Sequence, residues 1–419
     1  MKIMMMDWNS FGREDIMAAF TRQGHEVVKF PFSKKEPRRD DKIQNEIKEM
    51  MHRESPDAVF SFNYFPIIAL VCKDEDVPYI SWIYDSPYVL LYSYTTIFPT
   101  NHIFLFDRNQ VKKFHDNRIM TVNYLPMAAD AHRLSLLCDK ASDTENKKYS
   151  ADVSFVGSLY KGEHDFYGRM KNLSDYTHGY LEAVMKSQMQ IYGADIVEEC
   201  LTPDIIKDMQ KALPMQTSED GVETLSYLYG QYVIDREITA RERRSLLGSV
   251  AAKYDLSLYA GKRDTGSEDT DSEDTDSEDT SSRNMEYVNP GCHELKQCRF
   301  KNLGAVDYYT EAPLVYRNSK INMNITLRSI KSGMPLRVFE IMGSGGFLLT
   351  NYQADFEGSF TAGEDYVYFD SSKDLLDKCG YYLADSNNAE RMEIAKNGFE
   401  KMMKYNTYDC RVREMLAAL

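Results

Sequence analysis

Over its first 130 residues the chain alternates short apolar runs with stretches of helical period, and that alternation leaves few folds open to it. Strand, helix, strand in succession is the pattern of a parallel sheet covered by helices on both faces. The spacing predicts strands over 2–8, 25–30, 57–62, 77–84 and 102–106, with helices over 13–23 and 41–53. Gly24 stands where a helix commonly ends. A sheet of this kind collects ligands outside the carboxyl ends of its strands, so function is sought there.

At 419 residues the chain is too long for one core and suits two domains of roughly 200 residues. The pattern breaks at Leu125-Pro126-Met127 and restarts at Ala151-Asp152-Val153-Ser154-Phe155-Val156-Gly157-Ser158. This predicts a first α/β domain over 1–130, a linker over 131–150 and a second α/β domain over 151–402. A helical insertion over 168–253 interrupts the second domain, and a last helix follows over 403–419.

Composition excludes several classes. No run of about 18 apolar residues exists, so no membrane-spanning helix is predicted. Met1-Lys2-Ile3-Met4-Met5-Met6-Asp7 meets charge too soon for a secretion signal. The seven cysteines are odd in number and form no CxxC pair, which argues against disulfides and zinc and for a reducing cytoplasm. Nine acidic side chains and no basic ones between Asp264 and Asp279 carry most of the net charge of −15. No basic stripe is present, so no nucleic-acid partner is expected. The Ser-Glu-Asp-Thr repeats over 264–282 contain Asp269-Thr270-Asp271, an imitation of an Asp-x-Asp metal motif. They lack the hydrophobic strand that would fix a cation, so a solvated loop and no metal are expected.

The chemistry concentrates between 315 and 350. A strand ending near Asn324 leads through Ser332-Gly333-Met334-Pro335 into a helix bearing Arg337 and Glu340, and Gly343-Ser344-Gly345-Gly346 stops it. Pro335 suits the first helical turn, and Gly333 permits close approach of a ligand to the backbone. Such a helix start offers unpaired N–H groups to a diphosphate. Arg337 and Glu340, three apart, share a face. The guanidinium suits phosphate oxygens, and the carboxylate suits both hydroxyls of a ribose. The plainer reading of the pair is a surface ion pair.

These residues resemble the C-terminal domain of group 1 glycosyltransferases, in the branch of the spore maturation protein CgeB. The resemblance rests on Ser319-Lys320-Ile321, Asn324, Gly333, Arg337-Val338-Phe339-Glu340, Gly345-Gly346-Phe347-Leu348-Leu349-Thr350, Tyr381-Tyr382-Leu383 and Ile394-Ala395. Phe155-Val156-Gly157-Ser158 and Trp82-Ile83-Tyr84-Asp85-Ser86-Pro87 extend it to most of the chain, except the insertion and the acidic repeat. It implies a GT-B architecture: two Rossmann-like domains whose parallel sheets face each other across a cleft. The second domain would hold a nucleotide-diphosphate sugar as donor, the first mainly a protein or glycan acceptor, and the last helix would cross back between them. Related retaining enzymes carry two glutamates eight positions apart. Glu340 matches the second, but Ser332 stands at the first, so retention is favoured over inversion only by resemblance.

Transfer of this type needs no metal or cofactor when protein cations neutralise the leaving diphosphate. Lys320 and Arg337 are candidates for that work, with Lys320 as an exposed strand-edge lysine the alternative. Gly157, Ser158, Ser319, Asn324, Gly333, Glu340 and Gly345 complete the expected donor site. Asp85, after a first-domain strand, is placed to orient or deprotonate an acceptor hydroxyl, or else to cap its turn. Among the histidines only His164 invites a test. A nucleotide-sugar epimerase and a non-catalytic coat or scaffold protein of the same fold are the competing functions.

Overall fold

A computed structural model describes residues 1–33, 35–160, 165–261 and 300–419. The acidic loop 264–282 and His164 lie outside the described residues.

Two six-stranded sheets, all parallel, form two lobes. The first contains β1 (Lys2–Asp7), β2 (Glu26–Pro31), β3 (Ala58–Phe62), β4 (Tyr79–Ile83), β5 (Asn101–Leu105) and β6 (Val122–Tyr124), in the order β2-β1-β3-β4-β5-β6. The second contains β7 (Ala151–Val156), β8 (Leu256–Tyr259), β9 (Phe300–Asn302), β10 (Ser319–Asn324), β11 (Leu348–Asn351) and β12 (Val367–Phe369), ordered β12-β11-β10-β7-β8-β9. Every residue of β3 and β4 is buried, as both faces of a parallel sheet require. β6, β9 and β12 have three residues each, too few to show a period in the sequence.

The stretch 131–150, expected as a linker, is two helices, Ala131–Lys140 and Asp143–Lys148. Each begins on a capping side chain, Asp130 and Ser142, and a cap is a local signal that needs no long period.

The chain end folds back onto the first lobe. Helix Tyr408–Leu416 packs on helix Arg13–Arg22, and Trp82 meets Tyr408 edge-on at 5.6 Å. Gly12, at φ 71°, leaves room for the Tyr408 hydroxyl where any side chain would collide. Arg22 pairs with Asp409 at 2.6 Å and with Asp130 at 2.9 Å. One apolar cluster therefore runs through both lobes, from Ile3, Phe60 and Trp82 to Val338, Phe339, Tyr408 and Val412.

The 168–253 insertion binds both lobes. On its own side, Arg328 pairs with Glu242 and donates to Ile191 O (2.7 Å), while Lys331 pairs with Asp235 (2.6 Å) and Asp195 (2.9 Å). On the first lobe, Gly221 bridges Ser93 in an antiparallel pairing, and Asp220 accepts from Arg38 (2.5 Å) and Ser93 (2.8 Å). The insertion is a strap across the junction.

Candidate active site

β7 and β10 are neighbours, so their carboxyl ends deliver Gly157-Ser158 and Asn324-Ile325 to one place. The first turn of helix Leu336–Gly343 reaches the same place, because Arg337 Nη1 donates to Asn324 Oδ1 at 3.3 Å. Asn324 is fully buried and held in turn by donating to Thr326 Oγ1 (3.0 Å) and Thr350 Oγ1 (2.9 Å). Gly157 has φ 148°, and a Cβ there would strike the Arg337 guanidinium. Glycine at this position is thus required twice, by conformation and by the arginine.

A second guanidinium stands beside the first. Arg243, from helix Asp235–Ala251 of the insertion, donates to Ile325 O (2.6 Å) and Ser158 O (2.5 Å). Arg243 and Arg337 lie 5.4 and 5.5 Å from the same Phe155 ring. Burial above all, with the nearby Arg337 charge, lowers the Arg243 guanidinium to about 10. It remains charged at neutral pH, so two cations share one poorly hydrated corner. Such a pair is relieved by an anion.

Glu340 sits one turn further along, 7% exposed. Burial pushes its carboxyl up to about 7, against a hydrogen bond from Tyr308 and the charges of Arg133 and Arg337. Tyr308 is backed by Phe11 of the first lobe, ring to ring at 5.1 Å. Arg133 is anchored on Asp15 by two bonds of 2.7 and 2.9 Å. The Tyr308 hydroxyl thus bonds the carboxylate.

Of the residues expected at a donor site, Gly157, Asn324, Arg337 and Glu340 converge. Ser158 is exposed beside them and offers its carbonyl to Arg243. Lys320 and Ser319 do not join. They open β10, roughly 13 Å (Lys320) and 17 Å (Ser319) from its carboxyl end at ~3.3 Å per residue. There Lys320 pairs with Asp152 (2.8 Å) and Ser319 Oγ donates to Val315 O (2.8 Å). Gly345 is also displaced. It turns the chain after the far end of the helix, at φ 75°, against Arg317. Pro335 precedes the helix rather than starting it, in extended conformation, and no side chain caps that end.

Gly333 was expected against a ligand and instead lies against the first lobe, where a Cβ would come 2.6 Å from Phe106 O. The adjoining Lys331 and Ser332 N–H groups donate to Asp107 Oδ2 at 2.6 and 3.1 Å, and Ser332 Oγ donates to Asp107 Oδ1 at 2.9 Å. Asp107 also caps helix Arg108–Asp116, so one buried carboxylate ties the lobes together.

Asp85 is exposed at the carboxyl end of β4, where Asn63 Nδ2 donates to it at 2.7 Å. Its neighbour Ser86 donates to Ser329 Oγ at 3.3 Å, bringing the Asp85 loop to the loop that leads into the Arg337 helix. Sequence reasoning missed Arg243, which stands in the charge run Arg241-Glu242-Arg243-Arg244 and reads as a solvated face. It also missed Tyr308, which follows the acidic loop with no periodic context. Among the described residues, no three His, Cys, Asp or Glu side chains are grouped to hold a metal. Among them too, no helix is long and apolar enough to cross a membrane.

Residues 283–417 match the family model described as glycosyl transferase-like. No curated protein matches the chain significantly. Among solved structures, a glycosyltransferase from Rickettsia africae is 8% identical, with TM-score 0.55 and coverage of 100% of this chain and 97% of that one. Anabaena HepE, solved with UDP and glucose, is 11% identical, with TM-score 0.53 and both chains covered in full. A UDP-forming trehalose-phosphate synthase from Burkholderia xenovorans is 10% identical, with TM-score 0.53 and coverage of 99% and 98%. Sheet order and the full-length structural matches show that this chain has the GT-B fold, and its residues 283–417 are similar to the glycosyl transferase-like family.

Proposed function

We propose that the protein transfers a sugar from a nucleotide-diphosphate donor, with UDP the first base to try, to an acceptor held against the first lobe. The observation that carries this reading is the convergence of Arg337, Arg243 and Gly157 beside the uncapped start of the Glu340 helix. Two guanidiniums and a helix terminus suit a diphosphate as ligand and, more strongly, as leaving group, since charge builds on it during transfer. Glu340 would take the ribose hydroxyls, and Asp85 would orient the acceptor. The Anabaena HepE structures, solved with UDP and glucose or with UDP-glucose, support the choice of donor. Retention of configuration is favoured by resemblance alone, and an NMR assignment of the product anomer tests it. Transfer without a metal is tested by activity in EDTA.

Calorimetric titration with UDP decides the donor. Binding that weakens about 10–100-fold in Arg337→Ala, the loss for a charge-assisted contact, supports the proposal. One observation favours a second reading, a non-catalytic protein that retains the fold. Ser332, at the first glutamate position, serves the lobe contact, and Glu340 already accepts a hydrogen bond from Tyr308. Absence of any response to UDP, GDP, dTDP and their sugars selects that reading.

A further inference from the structure

The exposed Asp85 turn is held from beneath by one buried side chain. Asn63 follows the last residue of β3, is 1% exposed, and has φ 58°, in the left-handed region that asparagine tolerates better than most residues. β3 and β4 pair in parallel, so their carboxyl ends bring Asn63 and the Asp85 turn together, and Asn63 N donates to Trp82 O at 2.9 Å. The amide side chain then makes two kinds of bond. Oδ1 accepts from Tyr84 N (3.2 Å) and Asp85 N (3.4 Å), and Nδ2 donates to Asp85 Oδ2 (2.7 Å). Below it, Asn63 O accepts from Ser61 Oγ (2.5 Å), which lies 2.6 Å from Tyr79 OH, and both of those side chains are fully buried.

A residue that only capped the turn would need an acceptor for the two N–H groups, and aspartate would serve as well. The NH2 group has a different partner, the carboxylate, and aspartate offers it no donor and a like charge. An exposed carboxylate has several rotamers within reach, and a charge-assisted bond from a buried amide selects one. The turn so fixed also touches the second lobe, where Ser86 Oγ donates to Ser329 Oγ at 3.3 Å.

We infer that Asn63 is a positioning residue for transfer, holding the Asp85 carboxylate in the orientation that receives the acceptor proton. This rests on the transferase reading of Asp85. In transfer the acceptor oxygen bonds to the anomeric carbon while the bond from that carbon to the diphosphate oxygen breaks. The electron pair of the broken bond leaves on the diphosphate, and the acceptor proton passes to Asp85.

Water stands in for the acceptor in the test, which follows release of UDP from UDP-glucose by the full chain. Asn63→Gly keeps the left-handed backbone and removes the amide. It should lower kcat about 10–100-fold, the loss for a misplaced group, while KM for UDP-glucose and the calorimetric affinity for UDP stay unchanged. In an Asp85→Ala background the same substitution should cost nothing further, because the two residues act as one unit. Asn63→Asp retains the acceptor for the two N–H groups and repels the carboxylate, so it should be as slow as Asn63→Gly, and it carries the test if the glycine variant does not fold. A natural kcat in Asn63→Asp would leave Asn63 a turn cap and overturn the inference. A loss that recurs in full without Asp85 would overturn it too. Failure of the natural protein to release UDP would sink the transferase reading and the role of Asn63 with it, whereas failure confined to the variants' predicted pattern would sink the role of Asn63 alone.

Discussion

Glu340 carries the sharpest consequence at the scale of a single residue. Its carboxyl is raised to about 7 by burial, so the folded state holds a proton that the unfolded chain releases near the ordinary carboxylate range. A native state that binds more protons loses stability as pH rises, here between about 4.5 and 7. Glu340→Gln never ionises, so its melting temperature should match the natural protein near pH 5 and exceed it by several degrees at pH 8. Differential scanning calorimetry across that range checks this, and a constant difference at all pH values would refute it. The same residue shows how far sequence reading reached. Arg337, Asn324 and Gly157 meet because strand ends and helix starts are local features that the topology brings together. Lys320 lies at the opposite end of its strand from these residues, a position that a motif match does not reveal. Arg243 was invisible because burial of an arginine is decided by what packs over it.

At the scale of elements, the strap braces the loop that leads into the Arg337 helix. Arg328 and Glu242 form a nearly buried pair, their side chains 10% and 4% exposed, between the loop and helix Asp235–Ala251. Removing one member of a buried pair leaves the other charge stranded, at a cost of about 3–5 kcal/mol. Glu242→Ala should therefore destabilise the second lobe in urea by that amount, and Arg328→Met with Glu242→Leu should recover most of it. If the double variant is as weak as the single, the pair is not an isolated charge problem. In sequence the insertion shows helices but no purpose, since its polar partners in the two lobes are 82 or more positions away and no period records them. The helices within the 131–150 stretch go unseen in the sequence for the opposite reason: they are ten and six residues long, too short for a period, and only their caps announce them.

For the whole molecule, the contact between lobes is the quantity to perturb. Asp107 holds the Lys331 and Ser332 N–H groups, and Gly333 lies flush against Phe106. Gly333→Ala places a methyl 2.6 Å from a carbonyl oxygen, so the lobes should part while each sheet stays intact. Small-angle scattering should report a larger radius of gyration with an unchanged far-ultraviolet spectrum, and an unchanged radius would refute the idea. Asp107→Ala should act in the same direction by freeing the two N–H groups. The two-lobed α/β architecture was determined by the sequence itself, because strand and helix periods are written into consecutive residues and parallel sheets admit few arrangements of them. Which glycine serves the lobe contact and which arginine stands beside Arg337 were decided only by the tertiary structure. Those outcomes depend on close contacts between segments distant in the chain, and a contact of that kind leaves no mark on the residues next to it in sequence.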